Sequence, residues 1–219
     1  MQEAKVLSPN IEVEEWFQGE PTNIDQERGK IIVIEVFQVN CPGCFISALP
    51  EAIQVHHKFK DNKDVLFWGI STAFEDYNFN TKENLKKFLE TGEVVGETLH
   101  HLTLQGHLHD GRLEYRIPFP VAWDKLVPSD PADLEKNVDE FIQRDFPNWD
   151  ELAEGMRNQI RSQITTYFQQ KKFEARTFDK FKMRGTPTIL IIDKEGYIRY
   201  HYFGSGHDLV GSIRTLLDE

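Results

Sequence analysis

Cys41 and Cys44 are the residues of this sequence best suited to chemistry. They are the only cysteines among 219 residues, and Pro42 and Gly43 separate them. A thiolate is a nucleophile and a metal ligand, so a CxxC pair serves either redox turnover or metal binding. One CxxC without a second excludes a four-thiolate zinc site and a disulfide framework. The two thiols are therefore either incidental or the centre of the function.

The local sequence around Cys41 favours a reactive thiolate. A buried strand is predicted to end shortly before Cys41, and a helix is predicted to begin at Pro42, a residue favoured at the first helical position. The N–H groups of Gly43 and Cys44, together with the positive end of the helix dipole, then stabilise a negative charge on Cys41. Cys44 lies one turn inside the helix, where it is more buried and suited to resolve a mixed disulfide.

The elements that must position these thiols follow from hydrophobic periodicity and turn residues. We predict an α/β fold with a central mixed sheet flanked by helices, in one domain covering residues 1–219. Predicted strands cover residues 31–37, 64–70 and 185–192, with a hairpin to 197–203. Predicted helices cover 45–59 with a kink at Pro50, a segment capped by Asn80, and 209–217. Two amphipathic helices, starting near Asp130 and Trp149, predict an inserted helical region at about 125–177.

This arrangement resembles the thioredoxin superfamily and, within it, the TlpA-like redoxins of the AhpC/TSA-like thioredoxin fold. The matching segments are residues 29–37, the Cys-Pro-Gly-Cys sequence at 41–44, and residues 181–203 with Thr186-Pro187. The likeness covers residues 11–90 and 178–219.

The resemblance implies roles for individual residues. Pro187 matches the family's cis-proline, which lies against the active-site disulfide, and the backbone of Thr186 is expected to pair with an extended substrate segment. Pro42 and Gly43 complete the expected substrate-binding set. Glu35, six positions before Cys41, matches a buried acid that exchanges a proton with the second cysteine.

The sequence departs from the family pattern in three places. Asn40 replaces the aromatic residue that commonly precedes the first cysteine, which affects the expected partner-docking surface. Pro50 lies one residue further from Cys44 than in most thioredoxins, so we expect a shifted helix kink. Pro187 follows Cys44 by 143 positions, which is far more than a minimal thioredoxin needs.

Composition limits the partners. The chain carries 25 Lys and Arg against 36 Asp and Glu, a formal net charge of −11, which disfavours nucleic acid and anionic membrane surfaces. It has neither an apolar leader nor a run of roughly 20 apolar residues, so we expect a soluble, cytoplasmic protein. We expect no cofactor. The expected partners are disulfide-containing protein substrates and an electron-donor thiol system.

The sequence leaves several functions open for the cysteine pair. The leading hypothesis is a thiol-disulfide oxidoreductase that acts through a mixed disulfide between Cys41 and its substrate. A peroxidase and a metal-binding or scaffolding module are the competing hypotheses. The two thiols could instead be inert, and Glu35 could face water at a sheet edge. The histidines between residues 100 and 109 could join the thiols in a metal site, although a solvated loop is the simpler interpretation.

Overall fold

The structure is a computed structural model and describes residues 6–219. The strands are β1 (Val6–Leu7), β2 (Val13–Gln18), β3 (Ile31–Phe37), β4 (Val65–Ser71), β5 (Val121–Asp124), β6 (Leu126–Pro128), β7 (Phe173–Ala175), β8 (Thr188–Ile192) and β9 (Tyr197–Phe203). The α-helices are α1 (Leu49–Phe59), α2 (Lys82–Thr91), α3 (Gly96–Leu104), α4 (Leu134–Asp145), α5 (Glu154–Gln170), α6 (Arg176–Lys180) and α7 (Leu209–Asp218).

A seven-stranded mixed sheet has the strand order β1-β9-β8-β3-β4-β5-β2. β3 pairs with β4 in parallel and with β8 antiparallel, and β4 pairs with β5 in parallel. All seven residues of β3 are buried, as expected for a central strand covered on both faces. The predicted strand at 31–37 is confirmed, and it places the cysteine pair at the end of the central strand.

The chain's last segment follows the sequence prediction closely. β8 and β9 form an antiparallel hairpin, whose turn contains Gly196 with a φ of +88°, a conformation that glycine adopts without strain. The predicted strand at 185–192 begins instead at Thr188, and residues 185–187 form a loop in which the peptide bond between Thr186 and Pro187 is cis.

The start of α2 differs from its prediction. The N-cap is Thr81, whose hydroxyl accepts a hydrogen bond from the Asn84 N–H, and not Asn80. The Asn80 side chain accepts a hydrogen bond from the backbone N–H of Asn40. The prediction that Asn80 caps this helix is therefore wrong. Local spacing suggested it, but the Asn80 side chain bonds to Asn40, which is distant in sequence.

The described chain divides into two compact units, residues 6–125 with 175–219, and residues 126–174. Within the first unit, the buried Asp124 accepts hydrogen bonds from the Thr72 hydroxyl at 2.8 Å and the Thr177 N–H at 2.7 Å. Burial raises the pKa of Asp124 to about 6, although these donors act in the opposite direction. This carboxyl group ties the end of β5 to the start of α6.

The second unit is built on the packing of the amphipathic helices α4 and α5 against each other. Its buried core consists of Val138, Ile142 and Ile164. On its surface, Arg161 bonds to both Glu135 and Asp139 at 2.7 Å. The sequence predicted the two helices; the β6–β7 strand pair was not predicted.

Candidate active site

The end of β3 and the helix that follows it bring Cys41 and Cys44 together. The two are joined in a disulfide, with a Cα–Cα distance of 5.3 Å. The N–H of Cys44 lies 3.2 Å from Sγ of Cys41, and this donor was predicted from the helix start. Cys44 is fully buried and Cys41 is half-buried, so only the first cysteine is open to solvent. Gly43 is exposed, and a Cβ added to it would meet no atom within 4 Å.

The loop before β8 lies against the disulfide. The carbonyl oxygen of Thr186 is 3.7 Å from Sγ of Cys41, across 145 positions of sequence. The carbonyl of Pro187 accepts a hydrogen bond from the Gly204 N–H at 2.9 Å, which holds this loop to the end of β9. The fold therefore brings Cys41, Cys44, Thr186 and Pro187 into one place.

Glu35 is buried at the centre of the sheet. Its exposed fraction is 1%, and in register it stands between Gly69 of β4 and Ile189 of β8. The alternative in which Glu35 faces water at a sheet edge is therefore wrong. Among the described residues, neither carboxyl oxygen has a hydrogen-bond partner. Loss of hydration, and then the nearby charge of Glu51, raise the pKa of Glu35 well above its ordinary value.

A π-helical turn, Cys44–Ala48, separates the second cysteine from α1. In it the N–H of Leu49 bonds to the carbonyl of Cys44, five residues back. A π turn contains one more residue than an α turn, which accommodates the extra position before Pro50. The widened turn lies directly beside the cysteine pair, and the shifted kink at Pro50 stays a prediction.

The widened turn leaves the carbonyl of Phe45 without its usual backbone donors. The N–H of Leu49 is already used by Cys44, and Pro50 has no N–H. The hydroxyl of Tyr115 fills this gap by donating a hydrogen bond to Phe45 at 2.7 Å. Burial raises the pKa of Tyr115, so the phenol keeps the proton that it donates. No sequence signal connects Tyr115 with Phe45, so this hydrogen bond was not predicted from the sequence.

Asn40 and Gln38 form a polar network around the first cysteine that the sequence analysis also missed. The Asn40 side chain donates to Asp76 at 2.9 Å and accepts from the N–H of Glu97 at 2.7 Å. Gln38 accepts a hydrogen bond from the Thr186 hydroxyl at 3.2 Å. The only available signal was the polar character of positions 38 and 40 directly after an apolar strand.

The histidine-rich stretch lies partly on helix α3. His100 and His101 lie on α3, and their rings are 5.6 Å apart. Within residues 6–219, no three His, Cys, Asp or Glu side chains are grouped so that they could hold a metal ion. No helix in the same range is both long and apolar enough to cross a bilayer.

No protein-family model and no curated protein matches this sequence. Among solved structures, a thioredoxin-like superfamily protein is 28% identical, with a TM-score of 0.63 over 98% of this chain and 97% of its own. The chain therefore has a thioredoxin-like fold with a close cysteine pair at CxxC spacing, as the sequence resemblance predicts.

Two further structures support this conclusion. A thiol-disulfide isomerase from Corynebacterium glutamicum is 26% identical, with a TM-score of 0.58 over 97% of this chain and 96% of its own. A thioredoxin-like protein in the oxidised form is 16% identical, with a TM-score of 0.52 over 98% of this chain and 96% of its own; at this identity the likeness shows the fold alone. The fold is that of thioredoxin-like thiol-disulfide oxidoreductases.

Proposed function

We propose that this protein is a thiol-disulfide oxidoreductase that reduces or exchanges disulfides in protein substrates. The observation that carries the proposal is the Cys41–Cys44 disulfide at the start of a helix, with the first cysteine accessible and the second buried. Similarity to a thiol-disulfide isomerase over nearly the whole chain supports a redox activity.

The proposed reaction begins with the reduced pair. The Cys41 thiolate attacks one sulfur of a substrate disulfide; that bond breaks, one substrate sulfur leaves as a thiolate, and the other stays bonded to Cys41. The Cys44 thiolate then attacks Sγ of Cys41 and releases the second substrate thiolate. The substrate gains two electrons, and the protein is left with the Cys41–Cys44 disulfide. An external thiol donor returns two electrons to the pair. The cytoplasmic location of the protein stays a prediction.

The residues around the pair have matching proposed roles. The Cys44 N–H, at 3.2 Å from Sγ of Cys41, and the helix start stabilise the attacking thiolate. Pro42 and Gly43 leave its approach open. The backbone of Thr186 and Pro187, beside Cys41, is suited to pair with an extended substrate segment.

Glu35 is proposed to exchange a proton with Cys44. Resolution of the mixed disulfide needs the Cys44 thiolate, and because Cys44 is fully buried, its proton must go to a base in the protein interior. A buried carboxyl group with a raised pKa is closer in basicity to a thiolate than a solvated one is, which makes proton exchange in both directions possible.

Reduction of insulin by dithiothreitol, with and without the protein, tests the proposal. The wild type is expected to accelerate the reaction, and Cys41→Ser to abolish the acceleration. In a separate reaction without dithiothreitol, Cys44→Ser that has been reduced beforehand is expected to form a covalent adduct with an insulin chain, which is visible by mass spectrometry and is released when dithiothreitol is added. Equal acceleration by the wild type and Cys41→Ser would contradict the proposal, and so would the absence of any adduct with Cys44→Ser.

A further inference from the structure

Phe79 is an exposed aromatic side chain near Asn40, the residue before the first cysteine. Its exposed fraction is 43%. Its backbone N–H donates to the carbonyl of Asp76 at 2.8 Å, and its carbonyl accepts a hydrogen bond from the Asn84 side chain at 2.8 Å. Gly96, with a φ of +55°, lies between Phe79 and Asn40: a Cβ added there would overlap Oδ1 of Asn40 and stand 3.1 Å from Cγ of Phe79. The Phe79 ring is therefore close to the residue that directly precedes Cys41.

Asn40 itself is unsuited to contact a substrate. It is buried, and its polar groups are occupied: the N–H donates to Asn80 at 2.8 Å, the side chain donates to Asp76 at 2.9 Å, and its oxygen accepts from Glu97 at 2.7 Å. Asn40 is therefore a buried polar residue that holds two neighbouring segments.

The segment that carries Phe79 is also connected to the other side of the site. The Gln38 side chain donates to the carbonyl of Glu75 at 3.5 Å and accepts from the Thr186 hydroxyl at 3.2 Å. The carbonyl of Thr186 lies 3.7 Å from Sγ of Cys41. Hydrogen bonds through Asn40 and Gln38 therefore connect the segment that carries Phe79 to the residues around the reacting sulfur.

Acidic residues lie on the two segments that Asn40 connects. Glu75, Asp76 and Glu97 are exposed. Asn40 bonds to the carboxylate of Asp76 and to the backbone N–H of Glu97, whose carboxylate lies 3.6 Å from Nδ1 of His101. We define the Phe79 surface as Glu75, Asp76, Phe79 and Glu97. The matching substrate is a polypeptide segment with two features next to its cysteine. An apolar residue contacts the Phe79 ring, and a basic residue complements the negative charge.

We propose that Phe79 is a specificity-determining residue, which contacts an apolar side chain next to the substrate cysteine, while Asp76 and Glu97 favour a basic residue in the same segment. Asn40 is the positioning residue that holds this surface beside Cys41. The inference rests on the proposed disulfide reductase function and identifies its substrate class.

Two disulfide-linked peptides and one small aromatic disulfide test the inference. One peptide carries Leu and Lys next to its cysteine, and the other carries Ser and Glu at the same positions. The wild type is expected to prefer the Leu/Lys peptide, and added salt is expected to reduce that preference. Phe79→Ala is expected to raise KM for the Leu/Lys peptide by about tenfold, with kcat and turnover of the small disulfide unchanged.

Matched variants separate contact from general damage. Leu104→Ala removes a more exposed apolar side chain at the far end of α3. It is expected to leave KM unchanged for both peptides. Glu97→Gln is expected to weaken the preference for Lys. Asn40→Ala is expected to raise KM for the Leu/Lys peptide, and adding Phe79→Ala to it should raise KM no further, because both changes remove the same contact.

The outcomes distinguish this inference from the function on which it rests. If the wild type reduces the small disulfide but Phe79→Ala leaves KM for the Leu/Lys peptide unchanged, the inference fails and the proposed function stands. An equal loss on the peptide and the small disulfide also overturns it, because Phe79 would then act on the cysteine pair itself. If the wild type reduces none of the three disulfides, both proposals fall.

Discussion

The hydroxyl of Tyr115 donates a hydrogen bond to the carbonyl of Phe45 at 2.7 Å. This carbonyl has no backbone donor, because the N–H of Leu49 bonds to Cys44 in the π-helical turn and Pro50 has no N–H. A loop residue 70 positions away in sequence thus completes the hydrogen bonding of the turn that carries Cys44.

Removal of this donor should destabilise the protein. In Tyr115→Phe the Phe45 carbonyl, on a residue with an exposed fraction of 1%, is left without a partner, and we expect the free energy of unfolding to fall by about 1–2 kcal/mol. Urea unfolding of the oxidised protein measures the change. Tyr200→Phe, where the ring stacks on Tyr202, is the control and should stay within about 0.5 kcal/mol of the wild type. Equal effects of the two substitutions would contradict the assigned role.

Glu35 should make stability depend on pH. Because the pKa of Glu35 is raised in the folded state, the folded protein holds this proton more tightly than the unfolded chain does. Below the ordinary glutamate pKa both states are protonated and no penalty arises. As pH rises above that value, the unfolded chain ionises first, so the free energy of unfolding falls until the pH passes the folded-state pKa.

Comparison with Glu35→Gln isolates this contribution. The variant lacks the titrating group, so its stability relative to the wild type should grow as pH rises from about 5 to 8, by at most about 1.4 kcal/mol for each pH unit. Urea unfolding across this pH range gives the difference, in which the titrations of other groups cancel. The exposed Glu90→Gln serves as the control. A difference that does not change with pH would show that Glu35 ionises equally in both states.

Gly96 should not tolerate a side chain. Gly96→Ala places a Cβ against the Asn40 side chain at a φ of +55°, so backbone strain and displacement of a buried amide add together. We expect a loss of about 2–4 kcal/mol in the free energy of unfolding. Reduced turnover of protein disulfides should accompany it, because Asn40 precedes Cys41.

Gly155→Ala in α5 is the matched substitution. An added Cβ there meets no atom within 4 Å, and alanine is the better helix former, so a gain of up to about 1 kcal/mol is expected. Thermal or urea unfolding of both variants decides the matter. If Gly96→Ala were as stable as the wild type, the close packing of Gly96 against Asn40 would be disproved.

Features that depend on local sequence were predicted well. The apolar run at 31–37 became the central strand, and Pro42 at the first helical position placed a helix start next to Cys41. Residues 197–203 became the second strand of the hairpin. In each case neighbouring residues are enough, because strand propensity, turn formation and helix capping act over a few positions.

Features that depend on contacts between distant segments were not predictable in the same way. Asn80 has a suitable sequence for a helix cap, yet it bonds to Asn40 and leaves the cap to Thr81. Tyr115 carries no motif that marks it as the partner of Phe45. A polar side chain takes whichever partner the packed chain brings within about 3 Å, and local spacing carries no information about that choice.

The sequence by itself determined the thiol pair, the strand that precedes it and the helix that begins between the two cysteines. Only the tertiary structure decided that Glu35 is buried without a hydrogen-bond partner among the described residues, and that Phe79 is the exposed aromatic side chain close to Asn40. The reason is physical: an apolar pattern specifies which face a strand or helix buries. The surroundings of a single polar or aromatic side chain depend on how all the neighbouring elements pack.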